Sequence, residues 1–169
     1  GAEVARQMLD YAGIRDVRIE SIAGSLTEHY DPVHKVLRLS STVYGSPSVA
    51  ALGVAAHETG HAIQHAENYS FLWIRSAMVH FTNIGSNLSI PLVIIGLFIS
   101  NSWGYYLMVA GVILFLFVVL FSVVTLPVEF NASRRALHML EDRNYLNGSE
   151  LSGARKVLKA AAMTYVAAA

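Results

Sequence analysis

The sequence predicts a mainly α-helical fold with a small β-hairpin and a two-helix transmembrane hairpin. Of its 169 residues, 54% are hydrophobic and only 14% are charged, whereas charged residues make up about 25% of an ordinary soluble domain. The charges are unevenly distributed, because the 53 residues from Ser76 to Val128 include no Asp, Glu, Lys or Arg. A soluble-like chain is therefore interrupted by a membrane-like insert.

The composition excludes several classes of function. The 12 basic and 12 acidic residues give a formal net charge of zero, whereas nucleic-acid-binding proteins carry a basic excess, so no nucleic-acid partner is expected. The chain has no cysteine, which excludes disulfides, thiolate nucleophiles and cysteine-ligated metal sites. Only histidine and carboxylate groups remain as strong metal ligands.

The N-terminal part predicts a helix followed by a β-hairpin. Apolar residues recur at helical spacing over 2–12, and apolar and charged residues nearly alternate over 17–22. A second strand is predicted at 36–39, with Asp31 and Pro32 marking the turn between the strands.

The uncharged run predicts two membrane spans. About 20 apolar residues cross the hydrocarbon core of a bilayer, so the run accommodates spans near 79–100 and 105–126, joined by a turn at 101–104. For the first span a buried amphipathic helix stays open as an alternative, because it carries several Asn and Ser side chains. Beyond the spans, two further helices are predicted at 128–143 and 150–165.

The flanking charges predict the orientation of a multi-pass protein of the cell membrane. Arg75 precedes the uncharged run, Arg134 and Arg135 follow it, and the turn at 101–104 carries no charge. Because positively charged flanks stay in the cytoplasm, both ends of the hairpin and the functional site are predicted on the cytoplasmic side.

The uncharged run divides the chain into three regions. Residues 1–75 form a cytoplasmic region with the β-hairpin, 76–128 the transmembrane hairpin and 129–169 a C-terminal helical region, all expected to act as one catalytic unit. The chain begins without methionine and ends on an apolar stretch. We therefore expect a fragment that lacks flanking transmembrane segments.

A predicted helix at 47–67, with Ser46 as N-cap and Pro47 at its first position, contains the pattern H-E-x-x-H. Its two histidines, His57 and His61, are four residues apart and share one helix face, so both imidazoles can bind one zinc ion.

The remaining chemistry requires a base and a third ligand. Glu58 lies one step around the helix, where its carboxylate can accept a proton from water whose pKa zinc has lowered. His65 continues the helical row, but it lies about 12 Å from His57 along a continuous helix, too far to share an ion. Glu129, the first charge after the hairpin, is the better third ligand because a carboxylate at a membrane boundary is costly unless paired or metal-bound.

The motifs GVAAHETGHAIQHAENY and TLPVEFNASRRAL, separated by two hydrophobic spans, resemble the YugP-type bacterial neutral zinc metallopeptidases over nearly the whole chain. The second motif is more distantly similar to the E-x-x-A-D element of the HtpX/Ste24-like membrane proteases, with Ser133 at the aspartate position. The resemblance implies a zincin-like helix and one zinc ion per chain, bound by His57, His61 and Glu129. It also implies Glu58 as general base.

Other polar residues are weaker candidates. One of Arg134 and Arg135 can orient Glu129 or stabilise a developing oxyanion, but membrane-flanking charge explains both equally well. His138 is ambiguous, His65 is a structural or supporting group, and Tyr30 lies in a polar turn from which it can donate to the reacting carbonyl.

Together these features predict a membrane-bound zinc metalloendopeptidase of gluzincin-like type that cleaves peptides or membrane proteins at the bilayer. By analogy with zincins, strand 36–39 is expected to pair with extended substrate. Two alternatives stay open: a site-2-type intramembrane protease, and a non-catalytic scaffold whose zinc is closed by a fourth ligand such as His138. An oligomer is compatible with the sequence but has no support in it.

Overall fold

The computed structural model describes residues 1–168. Within this range it is mainly helical with one small sheet, which confirms the predicted fold class. The elements are α1 (Ala2–Tyr11), β1 (Arg18–Ile22), β2 (His29–Asp31), β3 (Val36–Ser40), α2 (Ser41–Tyr44), α3 (Val49–Ala66), α4 (Ser70–Phe98), α5 (Ser102–Asp142) and α6 (Gly148–Ala168).

The chain divides into two compact units. The first unit consists of Gly1–Tyr69 and Val128–Thr164, and the second consists of Ser70–Pro127 with residues 165–168. The first unit thus holds the sheet, α1 to α3, the C-terminal part of α5 and most of α6. The second unit holds α4 and the N-terminal part of α5.

The sheet is more elaborate than the predicted hairpin. Its strand order is β1-β3-β2, with β1 parallel to β3 and β2 antiparallel to it. The two predicted strands are therefore parallel neighbours, and the hairpin is formed by β2 and β3. The prediction missed β2 because a three-residue strand at His29–Asp31 is too short to show an alternating pattern.

Strand β3 is the central strand, which corrects the expectation that 36–39 offers a free edge to substrate. It bonds to β1 on one side and β2 on the other, and Val36, Leu37 and Leu39 are fully buried. Its backbone groups are used within the sheet over most of its length. The outer strands of this sheet are β1 and β2.

Helix α3 begins slightly later than predicted. Its N-cap is Ser48, whose side chain accepts a hydrogen bond from the backbone N–H of Ala51. The predicted cap, Ser46, instead accepts from the backbone N–H of Ser48 at 3.2 Å. Pro47 therefore precedes the helix, and the N-cap preference for serine is met two residues further on.

Helix α3 lies between two apolar clusters of the first unit. Ala55 belongs to a cluster with Leu9 of α1 and Leu37 of β3, and its neighbour Ala56 belongs to a second cluster with Leu140 of α5. Adjacent small residues thus contact different layers, so α3 is fixed on both sides. Burial of this kind contributes about 25 cal/mol per Å² of apolar surface.

The second unit is a pair of apolar helices, α4 and the N-terminal part of α5. Both helices are long and apolar enough to cross a membrane, and large apolar side chains stay exposed, such as Leu97 at 67% and Phe98 at 84%. The helices approach closely, since a Cβ on Gly111 would lie 2.6 Å from the carbonyl oxygen of Ser89. Small residues at close contacts are typical of transmembrane helix pairs.

The predicted span at 105–126 and the predicted helix at 128–143 form one helix. Helix α5 runs for 41 residues and contains Pro127. The boundary was predicted because a span of about 20 residues ends there, close to the end of the uncharged run at Val128. Pro127 lacks an N–H and removes one helical hydrogen bond, but it does not end the helix. Residues on both sides of Pro127 are helical, so α5 continues without interruption across this position.

Candidate metal centre

Two helices of the first unit bring three ligand-type side chains together. Helix α3 supplies His57 and His61, whose rings lie 4.7 Å apart between centroids. Helix α5 supplies Glu129, whose Oε2 lies 3.1 Å from His57 Nε2 and whose Oε1 lies 3.8 Å from His61 Nε2. One donor atom from each residue lies within 4.8 Å of the others.

This donor set fits zinc. Zinc binds histidine nitrogen and carboxylate oxygen at about 2.0–2.2 Å, so two tetrahedral ligands lie roughly 3.3 Å apart. The two carboxylate–imidazole separations of 3.1 and 3.8 Å are close to this value. The side chains of His57 and Glu129 are 12% and 8% exposed. Burial lowers the pKa of His61, with a further contribution from His57, which favours the neutral imidazole that a metal requires.

A glutamine fixes the orientation of His61. The Nδ1 of His61 lies 3.0 Å from Oε1 of Gln64, which is fully buried. The amide nitrogen of Gln64 donates to the carbonyl oxygen of Val128 and to Oδ1 of Asn131, both at 2.9 Å. Because those acceptors fix the amide, its oxygen must accept from His61 Nδ1–H, and Nε2 is left with its lone pair toward the cluster.

The support of Gln64 continues to the protein surface. Arg135 Nε donates to the same Oδ1 of Asn131 at 2.7 Å, and the guanidinium forms an ion pair with Glu67 at 2.7 Å. Glu67 is at the C-cap of α3. A chain of polar contacts therefore joins the end of α3 to α5 and ends on the imidazole of His61.

A serine plays the corresponding part for His57. Ser133 Oγ lies 3.1 Å from His57 Nδ1, and Ser133 is one helical turn after Glu129 on α5. The serine at the aspartate position of the E-x-x-A-D element thus still contacts a clustered histidine. A hydroxyl can donate or accept, so it supports either ring tautomer without adding a charge.

A glycine allows the two helices to approach. A Cβ built on Gly60 would lie 2.7 Å from the backbone oxygen of Ala132 and 3.1 Å from its Cα. Real Cβ atoms essentially never come within 3.0 Å of such neighbours. Gly60 lies between the two histidines and Ala132 follows Glu129, so the spacing of the cluster depends on a missing side chain at this position.

Glu58 lies beside the cluster without belonging to it. It is 9% exposed, and its carboxylate is close enough to His61 to act on the pKa of that imidazole. Among the described residues, the ligand-type group consists of the two histidines and Glu129. Glu58 therefore lies next to the candidate ligands but is not one of them.

Two of the predicted supporting residues pair with each other. Tyr30 Oη lies 2.9 Å from His65 Nδ1, and both line a cavity of about 430 Å³ with Lys35 and Asp16. Burial, with the nearby charges of Asp16 and Asp31, raises the pKa of Tyr30 to about 12. The three clustered side chains are not among the lining residues of this cavity.

The remaining predicted residues lie along the C-terminal part of α5. Arg135 contacts Glu67 and Asn131, as described. His138 is 74% exposed and pairs with Asp142 at 2.9 Å, outside the ligand group. Arg134 is exposed and lines two cavities of the first unit.

Sequence reasoning missed Gln64 and Asn131, and it did not assign Ser133 to His57. A spacing signal was available, because Gln64 follows His61 by three residues and Ser133 follows Glu129 by four. Side chains three or four apart on a helix are neighbours. Polar residues at those offsets from a candidate ligand therefore lie close enough to the cluster to contact one of its members.

A buried His-His-Glu group, carried by a mainly helical fold with two apolar helices, is typical of a membrane zinc metallopeptidase. The chain belongs to the family described as "Putative neutral zinc metallopeptidase", which matches residues 1–169, and zinc is the cofactor of this family. It is 46% identical over 169 residues to "Putative membrane protease YugP" of Bacillus subtilis (strain 168), covering 100% of this chain and 74% of that protein. No solved structure matches the chain. These comparisons confirm the family resemblance inferred from the motifs.

Proposed function

We propose that this protein is a membrane-bound zinc endopeptidase whose metal is held by His57, His61 and Glu129. The convergence of these three side chains from α3 and α5 carries the proposal. Three protein ligands leave one position open, which is the arrangement of catalytic zinc sites. Two histidines of an H-E-x-x-H helix with a glutamate from a second helix correspond to the gluzincin type.

The bound zinc would supply Lewis acidity, which polarises the scissile carbonyl and makes water more acidic. The chain itself supplies the proton transfers. Glu58 follows His57 on α3 and stays outside the ligand group, so its carboxylate is free to accept a proton from the attacking water. It then returns that proton to the departing amine nitrogen, which completes hydrolysis of the peptide bond.

The polar contacts around the cluster keep the donors in place. Gln64 holds the Nε2 lone pair of His61 toward the cluster, and Ser133 contacts the far edge of His57. Partners of this kind typically change metal affinity or activity by about 10–100-fold when they are removed. We assign Gln64 and Ser133 to positioning and Glu58 to catalysis.

The proposed substrates are peptides or membrane proteins close to the bilayer. Two helices long and apolar enough to cross a membrane support a membrane location, and the Bacillus subtilis relative is named a membrane protease. The arginines that flank the apolar segment favour the cytoplasmic side for the site. Backbone pairing with substrate is left to the outer strands β1 and β2, since β3 is central.

The decisive experiment compares zinc content with peptide cleavage in Glu58→Gln. We expect the variant to keep zinc and to lose cleavage, because the amide cannot accept the proton. The matched control is Glu150→Gln, which makes the same change at an exposed position on α6 and should behave as wild type. Cleavage at the wild-type rate by Glu58→Gln would reject the mechanism.

A second variant tests the ligand set. Glu129→Ala should lose zinc affinity, because it removes the carboxylate that faces both imidazoles. Unchanged zinc content, measured by metal analysis after dialysis, would reject Glu129 as a ligand. This result would leave the role of Glu58 open, so the two variants test separate parts of the proposal.

A further inference from the structure

A second polar site lies between α5 and α6 of the first unit. It is a cavity of about 440 Å³, and three of its lining residues are the cations Arg134, Arg155 and Lys159. Phe130 and Leu158 form apolar parts of its wall. We call this site the cationic pocket.

The charges of the cationic pocket are uncompensated within residues 1–168. No acidic side chain lines it, and its three cations take part in none of the ion pairs found in that part of the chain. Three like charges that face one cavity repel each other and create a positive potential. An anion bound among them would remove the repulsion.

None of the three clustered side chains lines the pocket. Its wall includes Ser133, whose hydroxyl contacts Nδ1 of His57, whereas Nε2 of that ring faces Glu129. A peptide held for cleavage must reach the Nε2 side. The pocket therefore suits an anion other than the scissile segment of a substrate.

The apolar wall indicates which anion. Phe130 is 42% exposed and comes two residues after the end of the 53-residue uncharged run. Basic groups beside an apolar segment of this kind attract the phosphates of anionic lipids. We infer that the cationic pocket binds the phosphodiester headgroup of an anionic phospholipid, with an acyl chain against the apolar wall.

The test is lipid binding by the zinc-loaded protein, purified in neutral detergent and delipidated. Native mass spectrometry would follow titration with phosphatidylglycerol and with phosphatidylcholine of the same acyl chains. The wild type should prefer phosphatidylglycerol by at least about tenfold. Since each basic residue near an anionic lipid contributes about fivefold in affinity, Arg155→Gln with Lys159→Gln should lose about 25-fold.

The matched control removes two other exposed cations, Arg15 and Lys156, which line no part of the pocket. The double variant Arg15→Gln with Lys156→Gln should bind phosphatidylglycerol within about twofold of wild type. If the pocket double variant does not fold, Arg134→Gln alone should still lose about fivefold.

Three outcomes would overturn the inference. Equal losses in the pocket and control double variants would mean that diffuse surface charge attracts the lipid. Binding of glycerol 3-phosphate as tight as that of phosphatidylglycerol would mean that the site takes a free phosphate compound. Tighter binding of an acidic peptide than of either lipid would make the site a peptide-binding surface.

Discussion

Substituting Gly60 by alanine should separate the two helices that carry the candidate ligands. The new Cβ would lie 2.7 Å from the backbone oxygen of Ala132, whereas ordinary contacts begin at 3.4 Å. The helices must therefore move apart by roughly 0.7 Å, because the obstructing atom is backbone and cannot rotate away. Metal-donor distances tolerate only about 0.2 Å. We expect zinc affinity to fall by at least about tenfold.

The same substitution changes stability in two opposing ways. Overpacking costs about 1–3 kcal/mol, whereas replacing a glycine inside a helix by alanine favours folding by about 1 kcal/mol. The net effect of Gly60→Ala is therefore between zero and about 2 kcal/mol of destabilisation. Zinc affinity should therefore fall by more than this modest loss of folding free energy alone would produce.

Helix α3 offers a matched control at Gly53. A Cβ there would meet the Cβ of Ala154 at 3.5 Å, an ordinary contact. Gly53→Ala should keep wild-type zinc affinity and gain up to about 1 kcal/mol of stability. The assay is competition with a chromogenic zinc chelator, alongside thermal unfolding. Wild-type zinc affinity in Gly60→Ala, or equal losses in both variants, would refute the reasoning.

Three further predictions concern named contacts. Gln64→Leu should lower zinc affinity by about 10–100-fold, because His61 loses its acceptor; unchanged chelator competition would contradict this. Ser133→Ala should lower zinc affinity by about tenfold. The control variant Ser152→Ala, at an exposed position on α6, should keep the zinc affinity of the wild type. A hydrogen bond from the backbone of the following turn holds the pKa of Asp31 well below its usual value. Asp31→Asn should thus lower the free energy of unfolding by about 1–2 kcal/mol near pH 7. This difference from the wild type should be complete above about pH 4 and should disappear as pH falls through the lowered pKa. A pH-independent difference in thermal unfolding would contradict this.

The local parts of the fold followed from the sequence. Helix α3 and its histidine pair were predicted because four-residue spacing on one helix needs no tertiary information. Glu129 required one long-range argument, the cost of a carboxylate at a membrane boundary. The structure places it beside the histidines, 72 residues from His57.

The non-local parts did not follow. The parallel pairing of β1 with β3 depends on which strands meet, and an alternating pattern carries no information on direction. Gln64 was overlooked because its partners, Val128 and Asn131, belong to α5 and are more than 60 residues away in the sequence. The length of a membrane span suggested a helix boundary near the end of the uncharged run, whereas α5 continues through Pro127 as one helix of 41 residues.

The separation of the candidate ligands along the chain would also give a bound metal a part in folding. An ion bound by His57 and Glu129 would close a loop of 72 residues, which includes the whole apolar hairpin. If a cross-link of that length restricts the unfolded chain as a disulfide does, it contributes about 4 kcal/mol of loop entropy. Loss of zinc would then remove this cross-link, and the chain would open more readily to cellular proteases. Metal supply would in this way influence the lifetime of the protein.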